Sequence, residues 1–277
     1  MQVPQSDAPS PPPSASVPHW TVVGSGTLLP HGDRGSPAHL LEWGGEALLL
    51  DCGPGTVHGL ARAGCPWREV RRIWVSHFHP DHLADLPGLA WAWAHGGRSD
   101  PLRPVELLGP PGLLERWNGM VRAFGGWMAS PGGPLLVREV EPGASMALSE
   151  ALVMETLGTT HTEESQAVRF REPGGHRSVV YTSDTGSTPS LVPFMEGASL
   201  VVAACARPDP PGDIPHLTPG TLAPLLEEAG VGLVVTTHAY PELPARKVPD
   251  LLKKAGYTGQ AVVAHDGLRL PVPTFEA

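Results

Sequence analysis

The chain has few cysteines, and their spacing excludes some common small folds. Its three cysteines, Cys52, Cys65 and Cys205, are odd in number and widely separated, and they include no Cys-x-x-Cys pair. This usage indicates neither a disulfide framework nor a zinc ribbon. A reducing cytoplasm is the compartment that it predicts.

Basic residues and long apolar runs are also scarce. The 19 Lys and Arg residues are outnumbered by 28 Asp and Glu, which gives a formal net charge of -9. Such a balance argues against broad attraction to nucleic acid or to an anionic membrane, although it permits a locally basic groove. No apolar stretch approaches the roughly 18 residues that a membrane helix needs. We therefore expect a protein without a membrane partner.

The beginning of the chain differs in composition from the rest. Residues 1–18 are rich in Pro, Ser and Ala, and they lack the basic start and the continuous apolar stretch of a signal peptide. This composition predicts a disordered tail. The remainder, 19–277, alternates segments of strand and helix character without a fixed repeat or a composition break, which favours one α/β domain.

Apolar runs and turn residues predict the secondary structure. Strands are expected at 20–23, 46–51, 73–75, 105–108, 135–140, 152–157, 166–171, 178–182, 200–203, 233–236 and 261–264. Helices are expected at 55–63, at a segment that begins near 83 and carries Trp91 and Trp93, and at a segment through Trp117 that ends near 124. Two more are expected at 219–229, with Thr218 as N-cap, and at 243–255. The two tryptophans are assigned to the core or a pocket wall, and His265 to a hairpin turn. Polar residues recur at the ends of the strands, where ligand sites of open α/β folds gather.

The segment 76–82, Ser-His-Phe-His-Pro-Asp-His, carries the strongest chemical signal. It follows an apolar run and contains His77, His79, Asp81 and His82. At a strand end, the two alternate histidines share a face and can bind one metal ion, while Asp81 and His82 lie beyond the turn at Pro80 and can bind a second. A polar loop with surface histidines would explain one His-x-His pair. Three histidines and an aspartate in this spacing favour metal.

Three further candidates lie where later apolar strands end, namely His161, Asp184 and His238. Taken singly, each has an ordinary explanation as a solvated histidine or as a turn-forming aspartate. Taken with the first four, they make seven ligands. Seven is enough for two metal ions that share one carboxylate.

These residues resemble the signature of the metallo-β-lactamase-fold hydrolases. His77, His79, Asp81 and His82 match the family's His-x-His-x-Asp-His motif, and the later three match its single histidine, bridging aspartate and final histidine. The resemblance implies a four-layer αββα sandwich with a dimetal site at the sheet edge. It also implies that His77, His79 and His161 bind metal one, that Asp81, His82 and His238 bind metal two, and that Asp184 bridges them.

Within this superfamily, the chain is most similar to the ribonuclease Z branch. The segments that carry the similarity are 23–27 with Pro30, 50–56, 101–102, 108–113 and 183–185. His216-Leu217-Thr218 resembles the branch's His-Ser-Thr loop, which makes His216 a candidate to contact the scissile phosphate and to protonate a leaving oxygen. The alternative is that His216 is an ordinary loop residue before a helix.

Two features depart from that branch. His161 and Asp184 are only 23 positions apart (184 minus 161), which leaves no room for a glycine- and proline-rich arm that clamps tRNA. The segment 203–206 reads Ala-Ala-Cys-Ala where the branch has a glutamate, so the partner of His216 is left open. A tRNA substrate is therefore less favoured than the fold.

The resulting expectation is a dinuclear metal-dependent phosphodiesterase that uses a metal-bridging hydroxide, with Asp81 and His216 as catalytic residues. Zn²⁺ is the expected metal, with Mn²⁺ or Fe as alternatives. The expected substrate is a small-molecule or short nucleotide phosphodiester, and a homodimer is expected from related hydrolases. A carboxylic ester, lactone or sulfate-ester hydrolase is the alternative enzyme. A redox centre or an inactive binding protein is disfavoured, because no length remains for an electron-carrying domain and all seven ligands are present.

Overall fold

Two β-sheets packed face to face form the centre of the molecule. The computed structural model describes residues 17–274. Residues 1–16 of the expected disordered tail lie outside this range. The last residue of that tail, Pro18, is buried and its carbonyl accepts a hydrogen bond of 2.7 Å from Val272 N. The ordered domain therefore includes Pro18.

The first sheet has seven strands in the order β14-β1-β2-β3-β4-β5-β6. Strands β3 to β6 are parallel, whereas β1, β2 and β14 pair antiparallel with their neighbours. The bounds are β1 His19–Gly24, β2 Ala38–Trp43, β3 Glu46–Leu50, β4 Val70–Trp74, β5 Val105–Gly109, β6 Leu135–Glu139 and β14 Arg269–Pro271.

The second sheet mirrors the first, in the order β13-β12-β11-β10-β9-β8-β7. Its strands β10 to β13 are parallel, and β7 to β10 form an antiparallel meander. The bounds are β7 Ser145–Ser149, β8 Leu152–Gly158, β9 Gln166–Arg171, β10 Ser178–Tyr181, β11 Leu200–Ala204, β12 Leu233–Thr237 and β13 Gln260–Val263.

Helices cover the outer face of each sheet. Their bounds are α1 Thr56–Arg62, α2 Pro80–Leu83, α3 Leu86–Gly96, α4 Leu113–Phe124, α5 Leu191–Met195, α6 Pro219–Glu228 and α7 Val248–Lys254, and short 3-10 helices span Trp67–Glu69, Gly126–Ala129 and Ala245–Lys247. Apolar side chains form one core between the sheets, one between the first sheet and α1, α3 and α4, and one between the second sheet and α5 to α7. Three apolar layers of this kind confirm the expected αββα sandwich.

The parallel strands of both sheets bring the candidate residues together. Asp51 follows β3, the segment 76–82 follows β4, Asp184 follows β10 and His238 follows β12. Because the carboxyl ends of parallel strands meet at one edge of a sheet, these residues gather at a common edge of the sandwich.

Several elements and two assignments differ from the sequence-based expectation. The sequence did not predict β2, β7, β14, α2 or α5, nor the 3-10 helices at Trp67–Glu69 and Gly126–Ala129. The expected hairpin turn at His265 is wrong, because β13 and β14 belong to different sheets and residues 264–268 cross between them. Trp93 is buried as expected, but Trp91 is 53% exposed and stacks on His95 instead of entering the core. Within residues 17–274, no helix is long and apolar enough to cross a membrane.

Candidate metal centre

Three histidines converge on the first cluster at the sandwich edge. His77 Nε2 lies 3.1 Å from His79 Nδ1, and the same Nδ1 lies 3.1 Å from His161 Nε2. Ring nitrogens at this separation repel through their lone pairs unless a proton or a cation lies between them. The three nitrogens could therefore hold one cation, and they belong to the residues that the sequence grouped as metal one.

The second cluster contains a carboxylate and two histidines. Asp81 Oδ2 lies 3.3 Å from His238 Nε2 and 3.8 Å from His82 Nε2. All three side chains are buried, and their ligand atoms lie within 4.8 Å of one another. This set matches the residues expected at metal two.

Asp184 lies between the two clusters. Its Oδ2 atom is 3.7 Å from His161 Nε2, 3.7 Å from His82 Nε2 and 3.4 Å from His238 Nε2. One oxygen thus faces nitrogens of both clusters. This geometry is compatible with the bridging role that the resemblance implied for Asp184, and that role stays a prediction.

The site fits divalent cations on its own geometry. His82 Nε2 and Asp184 Oδ1 are buried and have no hydrogen-bond partner in the described chain. Buried polar atoms without a partner are costly, and a cation at the cluster would satisfy both. Imidazole nitrogens with carboxylate oxygens are the donor set of zinc and of other divalent transition metals.

Local backbone geometry aims these ligands at the site. Pro80 occupies the first turn of α2, which ends the extended segment after β4 and places Asp81 and His82 on a buried helical turn. Ser183 and His238 adopt positive φ angles of 48° and 60°. Non-glycine residues with positive φ are strained, so the surrounding structure must hold this end of the second sheet in place.

Asp51 supports the ligands from behind. Its Oδ2 atom lies 2.7 Å from His82 Nδ1 and accepts a hydrogen bond of 2.8 Å from Tyr181 OH. Its Oδ1 atom accepts from Ser76 N at 2.8 Å, and Ser76 Oγ lies 3.0 Å from His77 Nδ1. A carboxylate on Nδ1 keeps the proton there and turns the Nε2 lone pair of His82 toward the metal position.

Burial and mutual charge set the protonation of the centre. Burial, reinforced by positive charge on His82, holds the pKa of His77 well below its usual range, which keeps this ring neutral and able to bind metal. Burial alone would raise the pKa of Asp184, but the positive fields of His238 and His82 outweigh it and hold that pKa well below its usual range. These directions favour the ligand forms of His77 and Asp184. Burial alone would lower the pKa of His82, but the negative fields of Asp51 and Asp184 outweigh it and raise that pKa, so metal binding at His82 Nε2 must displace a proton.

His216 lies close to Asp184 in the buried cluster. Its Nδ1 atom is 3.8 Å from Asp184 Oδ2, and its ring centroid is 4.7 Å from that of His161. Burial lowers the pKa of His216 to about 4. The structure thus places this histidine beside the candidate metal ligands and not in a remote loop.

The loop that carries His216 is fixed by α6 and by a residue that the sequence analysis did not consider. Thr218 caps the helix, as expected, and forms a reciprocal capping box with Thr221. The Asp209 carboxylate accepts hydrogen bonds from Thr218 Oγ1 and from Gly220 N. Asp209 therefore fixes the loop from the helix side, although it makes no contact with His216 itself.

Asp266 is a second residue that the sequence analysis missed. Its carboxylate accepts hydrogen bonds of 2.8 Å from Ser25 N, Ser25 Oγ and Gly35 N. Ser25 O in turn accepts from His238 N at 3.1 Å. The sequence shows only an aspartate before a glycine, a pattern typical of a turn. The hydrogen-bond partners of Asp266 are more than 230 positions away, so no local pattern indicates them.

Comparison with known proteins identifies the family. Residues 46–239 match the model of the beta-lactamase superfamily domain, which is more than half of the chain. The chain belongs to the beta-lactamase superfamily. The matched residues include all seven candidate ligands and His216, so the superfamily domain contains the entire centre.

Curated relatives and solved structures agree with this membership. A ribonuclease Z from Mycobacterium marinum is 29% identical over 245 residues, which cover 80% of this chain and 86% of that protein. The metallo-beta-lactamase fold protein YhfI from Bacillus subtilis superposes with a TM-score of 0.79 at 22% identity, over 92% of this chain and 99% of that one. Human short-form tRNase Z gives a TM-score of 0.74 at 22% identity, again over 92% and 99%. These structural likenesses bear on the fold.

Proposed function

We propose that this protein is a dinuclear metal-dependent phosphodiesterase of ribonuclease Z type. The observation that carries the proposal is the match to proteins named ribonuclease Z across 80% of the chain. The convergence of His216 on Asp184 supports it, because a histidine beside the predicted bridging carboxylate would contact a substrate held at the centre. Zn²⁺ is the metal that the donor set of histidines and carboxylates favours.

The chemistry divides between the cations and the side chains. Two bound divalent cations supply an activated water and take up charge on the attacked phosphoryl group. Asp81 Oδ2 accepts a hydrogen bond from a nucleophilic O–H on the side of His238 and orients its lone pair toward phosphorus. Asp51 keeps His82 in the ligand tautomer throughout.

His216 acts on the leaving side. A pKa of about 4 makes its ring neutral in the free enzyme at pH 7. The N–H of this neutral ring donates a hydrogen bond to a phosphoryl oxygen. The negative charge of a bound phosphodiester raises that pKa and favours proton donation to the leaving oxygen. His216 is thus a candidate catalytic residue whose protonated form, the form that can donate a proton, becomes more populated when substrate binds.

The short connections in the second sheet indicate how large a substrate the protein binds. Residues 161–184 consist of β9, β10 and their short connections, and they contain no projecting arm. We therefore propose a short nucleotide or another small phosphodiester as the substrate. We also propose that the protein is a cytoplasmic homodimer. Light scattering measures the oligomeric state directly.

Metal analysis combined with a substrate panel tests this function. The purified, metal-loaded protein is assayed on bis(4-nitrophenyl) phosphate, a 4-nitrophenyl ester, a lactone and a sulfate ester, together with Asp184→Ala and His216→Ala. We expect hydrolysis of the phosphodiester above all others, about two metal ions per chain, loss of metal in Asp184→Ala, and retained metal with at least about tenfold slower turnover in His216→Ala. Preferred hydrolysis of the ester, lactone or sulfate ester would overturn the proposal.

A further inference from the structure

Two grooves lie near the metal centre. The first, called here the basic groove, is a cavity of about 410 Å³ between the segments 26–34 and 239–246. It adjoins the metal-two side, because Tyr240 lines it and the Tyr240 ring centroid is 5.5 Å from that of His238.

The charged groups of the basic groove are all of one sign. Arg34 and Arg246 line it, His31 lies beside them, and no Asp or Glu belongs to its lining. Within residues 17–274, neither arginine has a carboxylate within 4.0 Å. Two arginines without an acidic partner thus face one cavity on a chain of net charge -9. They present planar donor groups of the kind that bind phosphate.

One wall of this groove is fixed before any ligand binds. The Asp266 carboxylate holds Gly35 N and Ser25 N, which are the two ends of the loop that carries Arg34. The exposed side chain of Leu29 lies on the same wall and offers an apolar surface beside the arginine. A fixed wall reduces the ordering cost of binding, because the loop need not be immobilised by the ligand.

The second groove, called here the acidic groove, lies beside the segment that carries two metal-one histidines, on the side that Phe78 faces. Phe78, which lies between two metal-one histidines, lines it and donates its backbone N–H to Glu164. Its charged lining consists of Glu115, Arg116, Glu141, Glu163 and Glu164, four carboxylates and one guanidinium. A substrate part that carries a further phosphate is repelled there.

We propose that the basic groove binds the second phosphate of a nucleotide whose scissile phosphodiester lies at the metal centre. The nucleoside between the two phosphates lies against Leu29 and Tyr240, Arg34 and Arg246 bind the terminal phosphate, and the neutral leaving alcohol points toward the acidic groove. The preferred substrate class is thus a short phosphodiester with one additional phosphate on its nucleotide side and no charge on its leaving side. This inference rests on the phosphodiesterase function proposed above.

Two chromogenic substrates that differ by one phosphate test it. Thymidine 5′-(4-nitrophenyl phosphate) and its 3′-phosphorylated form release the same nitrophenol from the same bond, so their kcat/KM ratio isolates the second phosphate. For the metal-loaded wild-type protein we expect a ratio of about 10 or more in favour of the 3′-phosphorylated form, the effect of one charge-assisted contact. Thymidine 3′,5′-bisphosphate should also inhibit hydrolysis of the simpler substrate competitively.

Arginine variants assign that preference to the groove. In Arg34→Gln, Arg246→Gln and the double variant, we expect the ratio to fall stepwise to about 1. The matched variant is Arg122→Gln, which removes one exposed positive charge from α4 outside both grooves and should keep the wild-type ratio. Because Arg246 is exposed on a 3-10 helix, its replacement leaves the core intact even if Arg34→Gln impairs folding.

The outcomes separate this inference from the proposed function. If neither thymidine substrate nor bis(4-nitrophenyl) phosphate is hydrolysed by metal-loaded protein, the phosphodiesterase function fails. If both thymidine substrates are hydrolysed with equal kcat/KM, the function stands and the basic groove is not a phosphate site. A wild-type preference that survives in the double variant also overturns the assignment to these two arginines.

Discussion

Asp51 is the residue on which the geometry of the centre most depends. It is fully buried, has a positive φ of 57°, and joins His82, Ser76 and Tyr181 through one carboxylate. None of these atoms would bind substrate. The residue therefore acts by fixing ligands that touch the metals.

Asp51→Asn should weaken metal binding while preserving the shape of the side chain. The amide cannot accept from His82, Ser76 and Tyr181 at the same time, so the ligand tautomer of His82 is no longer enforced. Loss of such a supporting partner typically costs about 10- to 100-fold in metal affinity. Competition with a chromophoric zinc chelator measures it, and Tyr181→Phe, which removes one of the bonds to the same carboxylate, should show a smaller loss. Equal affinities in wild type and Asp51→Asn would contradict this role.

His39 makes a separate prediction about acid stability. It is fully buried in β2, accepts a hydrogen bond from Trp20 Nε1, and its pKa is lowered to about 3, mainly by burial and then by the positive fields of His82 and His238. The unfolded chain binds this proton near pH 6.5, so the stability due to neutral His39 is complete above that pH and is lost as the pH falls toward 3. The loss amounts to about 1.4 kcal/mol per pH unit.

Urea unfolding of metal-free protein between pH 7 and pH 4 measures this effect. His39→Gln removes the titrating group and can still accept from Trp20, so its stability should fall less steeply with acid than that of wild type. Parallel pH curves for the two proteins would show that His39 is not responsible.

At this scale the sequence grouped the candidate ligands, but it did not indicate which distant residues bond to Asp51 or to Asp266. His77, His79, Asp81 and His82 are contiguous, so their joint chemistry is legible in one segment. The bond from Tyr181 to Asp51 spans 130 positions, and those from Asp266 span 231 or more. Only the packed sheets bring such pairs together, and no local pattern encodes them.

Among the elements, α2 depends on a close approach to the strand-end segment after β3. Cys52 N donates to His82 O, and a Cβ at Gly53 would lie 1.8 Å from Asp81 O and 2.6 Å from Ser36 Cβ. Backbone atoms form this contact, so a side chain at residue 53 must displace the helix that carries Asp81 and His82.

Gly53→Ala should therefore impair metal two more than metal one. We expect the metal content to fall from about two ions to about one per chain, because only the metal-two set includes residues of α2. Elemental analysis after gel filtration gives this number. Gly232→Ala serves as the matched substitution, since nothing lies within 4 Å of a Cβ there. An unaltered content of two ions in a folded Gly53→Ala protein would contradict the expected displacement.

The start of α6 links helix stability to the position of His216. Thr218→Ala removes both the capping bond to Thr221 N and the hydroxyl bound by Asp209. We expect a loss of about 1 kcal/mol and a Tm lower by about 2–4 °C. Calorimetry compares the Tm of the wild type with that of Thr218→Ala and of Thr218→Ser, which keeps the hydroxyl. Equal Tm values for all three proteins would refute a capping contribution.

Helix α6, which the sequence predicted, has clear local start and stop signals, whereas strand β14, which it missed, depends on a partner strand. Helix α6 has a capping threonine, Pro219 in its first turn and Gly230 after its end, and its observed bounds agree with the prediction to one residue. Strand β14 has only three residues and exists because β1 provides a partner edge. Tertiary pairing of this kind leaves no periodic signal.

For the molecule as a whole, net charge opposes large anionic substrates. The charge of -9 repels RNA at long range, while the basic groove attracts only the part of a substrate that reaches it. The net charge follows directly from the sequence, and the spacing of His161 and Asp184 predicted that no tRNA-clamping arm lies between them. The sequence could not predict two grooves of opposite sign, because each is assembled from distant segments.

Salt should therefore increase cleavage of long RNA. We expect kcat/KM for a 3′-extended tRNA precursor, relative to bis(4-nitrophenyl) phosphate, to rise between about 20 mM and about 200 mM KCl as repulsion is screened. Initial rates at fixed metal concentration measure the ratio. A steep fall with salt would instead indicate the many phosphate contacts of a basic RNA-binding surface.

The order of the strands gives the chain a natural point of division. Strands β1 to β6 build the first sheet and β7 to β13 the second, and the connection at 140–144 lies between them. A cut there would leave His77, His79, Asp81 and His82 on one fragment and His161, Asp184 and His238 on the other. Strand β14 would cross from the second fragment to the first sheet and join them. Metal affinity would then report fragment complementation, since neither fragment alone holds a complete set of ligands.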